Sequence, residues 1–130
     1  LYKVKLSKLA EKNLRDFSDK NKEIEDLLIS KLEDLQNIDI QAALKSRKVG
    51  IVEGLPQKAL KRLKEMNFDE HVYEYRDFPK SKPFRMVFII REDTIVVILI
   101  VHHQQMKEKF NNLVSKKLTS YLDLMDENSF

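Results

Sequence analysis

The stretch from Phe84 to Val101 constrains the fold more than any other part of the chain. Phe84 to Ile90 and Ile95 to Val101 are rich in β-branched and aromatic residues and flank the polar pair Glu92 and Asp93. That pattern predicts two strands joined by a tight turn. A ribbon with one wet face would alternate apolar and polar residues, but here both faces are apolar, so the hairpin is expected to be central and covered, with helices on one side. It is not a membrane span: Thr94 to Val101 is only eight residues long and follows Arg91, Glu92 and Asp93.

The rest of the chain supplies the cover. Tyr2, Val4 and Leu6 alternate with Lys3 and Lys5, the period of a half-buried strand. Ser7 then offers an N-cap hydroxyl, and Ala10, Leu14 and Phe17 share a helical face, predicting a first helix to about Phe17. Ile24, Leu27, Leu28, Leu32 and Leu35 predict a second, paired with the first as a helical hairpin. Residues 37 to 56 lose periodicity and carry Gly50, Gly54 and Pro56, so most of this segment is expected to be loop. Pro56 suits a helix start, Ala59, Leu60, Leu63 and Met66 give a short apolar face, and Asn67 closes it. Val72 to Phe78 reads as a further strand, followed by a loop from Pro79 to Pro83. Phe110, Leu113, Val114, Leu118, Tyr121, Leu122 and Met125 form a last helical stripe, which either packs on the body or docks a partner. The expectation is an α+β fold, with an N-terminal strand and helical hairpin on a small, mainly antiparallel sheet and a C-terminal helix. At 130 residues the chain is sized for one domain, residues 1 to 130.

Composition narrows the chemistry. With no cysteine, the chain has no disulfide, thiolate metal site or cysteine nucleophile, which fits a reducing compartment, the cytosol by default. Two glycines leave no glycine-rich phosphate loop, and no metal-ligand spacing is present, so neither cofactor nor metal is expected. No secretory-signal pattern stands near the start, although the chain begins at Leu1 and leaves room for a trimmed leader. Net charge is only +3 but uneven: Lys45, Arg47, Lys48, Lys58, Lys61, Arg62 and Lys64 face a single acid, Glu53, while Asp123, Asp126 and Glu127 make the end acidic. The basic segment reads either as a solvated lysine-rich face or as a polyanion surface.

The candidate chemistry lies around the hairpin. If Arg91 pairs with Thr94 across a two-residue turn, Arg85 lies opposite Ile100 and diagonal to His102, within reach of a long side chain. A three-residue turn would bring His103 to Arg85's face instead. A guanidinium that clamps a phosphate beside an imidazole that moves a proton is a minimal kit for phosphodiester cleavage. The plainer reading makes both histidines edge residues at the water boundary. His71, before a strand and without a nearby partner, reads as structural. His102 and His103 are adjacent on a strand and point to opposite faces, which argues against a shared metal. Arg76 sits on the preceding strand with its face undetermined, and Lys80 and Lys82 lie on the loop before the hairpin.

The opening "YKVKLSKLAEKNLRDF", the paired helices, and then "VYEYRDF", "FRMVFIIREDTIVVILIVHH" and "MKEKF" resemble the RelE/ParE superfamily of small bacterial toxins, including its HigB-like and phage-encoded branch, over nearly the whole chain. The resemblance implies the toxin of a type II toxin and antitoxin pair. It also implies a cytoplasmic, metal-independent endoribonuclease that cuts mRNA on the ribosome and is held by a cognate antitoxin. Arg85 takes the central-strand arginine position, Arg76 resembles the arginine of the preceding strand, and His102 or His103 resembles a histidine after the last long strand; Lys107 is a further acid or base candidate. Lys58, Lys61, Arg62, Lys80 and Lys82 would touch RNA, and the C-terminal helix could support a homodimer. The chain departs from the best-studied nuclease branch in carrying Val72 and Glu74 where lysines stand, and in lacking a clear match to a later tyrosine. Two other readings therefore stand beside the nuclease: a non-enzymatic, ParE-like inhibitor of a protein target, and a phage or mobile-element protein that keeps the fold without toxicity.

Overall fold

The structure, a computed structural model, describes residues 1–103 and 110–125. In chain order the elements are β1 (Lys3–Leu6), α1 (Lys8–Ser18), α2 (Lys22–Gln36), α3 (Ile40–Lys45), β2 (Val49–Ile51), α4 (Gln57–Glu65), β3 (Tyr73–Tyr75), β4 (Phe84–Arg91), β5 (Thr94–His102) and α5 (Phe110–Asp123). The strands form one sheet in the order β1-β5-β4-β3-β2, parallel between β1 and β5 and antiparallel elsewhere. This is the α+β architecture expected from the sequence.

Local chemistry sets the helix starts. The Ser7 side chain accepts from the Ala10 N–H, Asn21 from Glu23 and Asp39 from Ala42, each satisfying a donor that the first helical turn leaves without a partner. Pro56 precedes α4 as anticipated, and Asn67, at φ 63°, turns the chain away after it.

The sheet is buried on both faces, which corrects the expectation of helices on one side. Tyr73, Tyr75, Phe84, Met86, Phe88, Ile90, Ile95, Val97 and Ile100 pack under α1, α2 and α3. The other face packs Val72, Val87, Ile89, Val96, Ile98 and Leu99 under α4 and α5. Consecutive residues of β4 thus serve two different cores, which explains why a strand pair with no polar face is stable. Val114, Leu118, Leu122 and Met125 are buried within this second core, so the stripe of the last helix packs on the body of its own chain.

Residues 37 to 56 are not mostly loop. Two short elements stand there: α3, capped by Asp39 and anchored by buried Ile40 and Ala43, and β2, whose three residues pair with β3. The strand expected from Val72 to Phe78 is also shorter, because the Phe78 N–H turns back to the Arg76 carbonyl (2.7 Å).

The hairpin turn is the two-residue one, with Arg91 opposite Thr94, but the register does not run unbroken to Arg85. Phe88 pairs with Val97 while Val87 pairs with Leu99, leaving Ile98 as the extra residue of a β-bulge. Ile98 and Leu99 consequently enter the same core. Helix α1 secures this irregularity. The Ser7 hydroxyl donates to the Ile98 carbonyl (3.0 Å), and the Ile100 N–H donates to Asn13 Oδ1 (3.1 Å). Beyond the Leu6 and Val97 pairing, polar side chains of a helix take over the hydrogen bonds that β1 supplies lower down.

Candidate functional site

The bulge decides which side chains meet. Above it Arg85 pairs with Val101 and Phe84 with His102, so the expected pairing of Arg85 with Ile100 is corrected by one residue. The His103 N–H donates to the Pro83 carbonyl (2.7 Å), continuing the same register. That register brings His103, one residue past the end of β5, to a cross-strand diagonal of Arg85, roughly 7 to 8 Å away at the backbone. His102 belongs to the opposite side, where its ring stands edge-on to Phe84 at 4.9 Å between centroids, and Phe84 in turn meets Phe17 of α1 at 5.0 Å.

Glu74 is the residue that organises Arg85's face. It pairs with Gly50 on one side and Val87 on the other, and it is only 5% exposed. A buried carboxylate on an otherwise apolar sheet needs compensating charge, and two arginines provide it. Arg76 Nε donates to Glu74 Oε1, and Arg85 Nε lies 4.0 Å from the same oxygen. Arg76 follows β3 by one residue and reaches Glu74 two positions back, as side chains on one side of an extended segment do. Its guanidinium occupies the space above Gly50 that a Cβ would otherwise fill. Arg85 Nη1 donates to the Phe84 carbonyl (3.0 Å), which fixes the head group close to the strand.

The cluster is cationic and partly shielded, the Arg85 side chain being 22% exposed and that of Arg76 36%. Burial lowers the pKa of the Arg85 guanidinium, the Glu74 carboxylate works against that, and the Arg76 charge lowers it further. Guanidinium remains charged under such conditions, so the cluster offers the donors that Glu74 and the Phe84 carbonyl leave unused.

Among the described residues, the other sequence candidates stand apart from this group. Lys58 and Lys61 are exposed on α4, on the sheet face that carries Arg85. Arg62 is committed to structure, 3.7 Å from both Glu65 and Asp123 of α5. Lys80 is exposed on the loop before β4, and Lys82 forms a 2.9 Å pair with Glu23 at the start of α2. Lys107 and the side chains of Phe110 and Leu113 lie outside the described residues. The sequence reading missed Glu74 as a participant, although its two-residue spacing from Arg76 in an extended segment was the available signal.

A second charged group lies on the opposite face and holds the same strand end. Asp77 lies 3.8 Å from Lys31 and 3.9 Å from Lys48, and Lys31 is also 5.8 Å from the Phe78 ring centroid. This group ties the chain just after Arg76 to α2 and to the start of β2.

No helix among the described residues is long and apolar enough to cross a membrane. Comparison with known proteins gives no matching family model, no matching curated protein and no matching solved structure.

Proposed function

We propose that this chain is the toxin of a toxin and antitoxin pair, acting in the cytoplasm as a metal-independent endoribonuclease on mRNA held by the ribosome. The observation that carries the reading is the gathering of Arg76 and Arg85 by one buried carboxylate, Glu74, beside the strand end that His103 follows. Such an arrangement suits transesterification. The 2′-hydroxyl oxygen bonds to the adjacent phosphorus, the bond to the 5′-oxygen breaks, and one proton leaves the first oxygen while another reaches the second. Arg85 and Arg76 offset the charge that gathers on the phosphorane oxygens, and His103 exchanges protons. Glu74 is a positioning residue that keeps two like charges together. Lys58, Lys61 and Lys80 would hold flanking phosphates, and the cognate antitoxin would cover this face.

The test is induced expression of the wild type and of Arg85→Ala in parallel, following growth while mapping mRNA 5′ ends. Growth arrest with new cuts at translated codons, both lost in a variant that still folds, supports the proposal. If neither protein slows growth or cuts RNA although both fold, the endonuclease reading fails.

A second reading rests on a different observation. A groove of about 280 Å³ between α1 and the end of α5 is lined by Leu9, Tyr121, Leu124 and Met125, with Leu124 70% exposed. Such a groove suits a non-enzymatic inhibitor that seizes a protein target. Toxicity that survives Arg85→Ala but is lost in Leu124→Asp would favour it.

A further inference from the structure

We infer that Glu74 matches the site to a singly charged phosphodiester, an internal linkage of an RNA strand, and against the doubly charged phosphate of a strand end or a free phosphate ion. The inference rests on the endonuclease reading and adds the residue that sets which phosphate charge the site accepts.

Two features of the cluster carry it. The first is charge. Arg76 and Arg85 share one carboxylate, so the three side chains together present a single net positive charge. A site built for a dianion gains by leaving both guanidinia unopposed. Here the opposing carboxylate is buried in the sheet between Gly50 and Val87, where water screens it poorly and it repels a second negative charge close by. The second feature is the supply of donors. Both Nε atoms face Glu74 Oε1, and Arg85 Nη1 is engaged by the Phe84 carbonyl. Arg85 therefore does not offer its whole fork to a ligand, which leaves fewer donors than the three oxygens of a phosphomonoester would engage. A phosphodiester has two non-bridging oxygens, one for each arginine, whereas a phosphomonoester brings three.

The experiment compares two probes that cannot be cleaved, a deoxydinucleoside monophosphate and a deoxynucleoside 3′-monophosphate. Each is titrated at pH 8 and low salt, where the monoester carries two charges. Binding is followed by the Nε resonances of Arg76 and Arg85 in wild type and in Glu74→Gln. The expected result is that wild type binds the diester at least as tightly as the monoester despite its smaller charge. Glu74→Gln then shifts the ratio about tenfold toward the monoester. A ratio unchanged by Glu74→Gln overturns the inference while leaving the anion site standing. If Glu74→Gln does not fold, the wild-type ratio decides alone, and a monoester bound tenfold more tightly than the diester overturns the inference. If neither probe moves either resonance in folded wild type, the endonuclease reading fails and this inference with it.

Discussion

The guanidinium of Arg76 lies over Gly50 in the space where any other residue would place its Cβ, with Nη2 and Cζ as the atoms it would meet. The colliding group is the far end of a flexible side chain, so Gly50→Ala should leave the sheet intact and move Arg76 off Glu74. The expected cost in stability is about 1 to 3 kcal/mol, as for other overpacked sites. On the proposed endonuclease reading, RNA cleavage should fall to the level of Arg76→Ala. An unchanged Arg76 Nε resonance in Gly50→Ala, or full cleavage, would count against this placement.

Arg85→Lys tests the shape of the cation separately from its charge. Lysine keeps the charge but cannot both donate to the Phe84 carbonyl and face Glu74 as the planar fork does. On the proposed endonuclease reading, cleavage should drop about a hundredfold, the size of effect seen when one donor to a developing oxyanion is lost. Unfolding free energy should change by less than about 1 kcal/mol. A fully active Arg85→Lys would show that charge alone is required.

Asn13 accepts from Ile100 beside the bulge, and no strand stands there to replace it. Asn13→Ala should cost about 1 to 3 kcal/mol, the penalty for an unsatisfied buried N–H. The urea midpoint and the hydrogen-exchange rate of the Ile100 amide report it, and exchange as slow as in wild type would contradict the assignment.

Alkaline pH should destabilise the protein through Tyr75. Burial first, then the Asp77 and Asp34 carboxylates and a hydrogen bond with Asp77, push its phenol well above the ordinary value. Burial raises Tyr73 in the same direction, helped by Asp69 and Tyr2. An unfolded tyrosine loses its proton near pH 10. Below that pH both states keep the proton and the contribution to stability is complete; above it the unfolded state binds fewer protons, so stability falls as pH rises. Each such tyrosine adds a slope of at most about 1.4 kcal/mol per pH unit. Tyr75→Phe should flatten the decline between pH 10 and 11, and an identical slope in both proteins would refute this.

The parts legible in the sequence were those whose signals are local. Ser7 and Pro56 marked the starts of α1 and α4, the apolar spacing in α2 marked its buried face, and Glu92 and Asp93 placed the hairpin turn. The bulge was hidden because a strand apolar on both faces carries no polar marker of its frame: Ile98 and Leu99 look alike whichever way they point. Strand β2 was hidden because three residues centred on a glycine become a strand only through pairing with β3, more than twenty residues away. The site was half legible. The place of Arg85 on the central strand could be anticipated from the hairpin, whereas Glu74 read as a missing lysine until the structure placed it between two arginines.

The tandem histidines gain a meaning from the extra residue in β5. Pairing Ile98 with Val87 would give the unbulged frame, in which Arg85 faces Ile100 and lies diagonal to His102. In the present frame the diagonal partner is His103. Either register of the strand therefore brings a histidine to the diagonal of the same arginine. A strand whose neighbouring positions repeat the same side chain can slip by one residue without losing that juxtaposition, so the doublet makes this corner of the molecule tolerant of a change in register that would exchange the occupants of the two cores above the bulge.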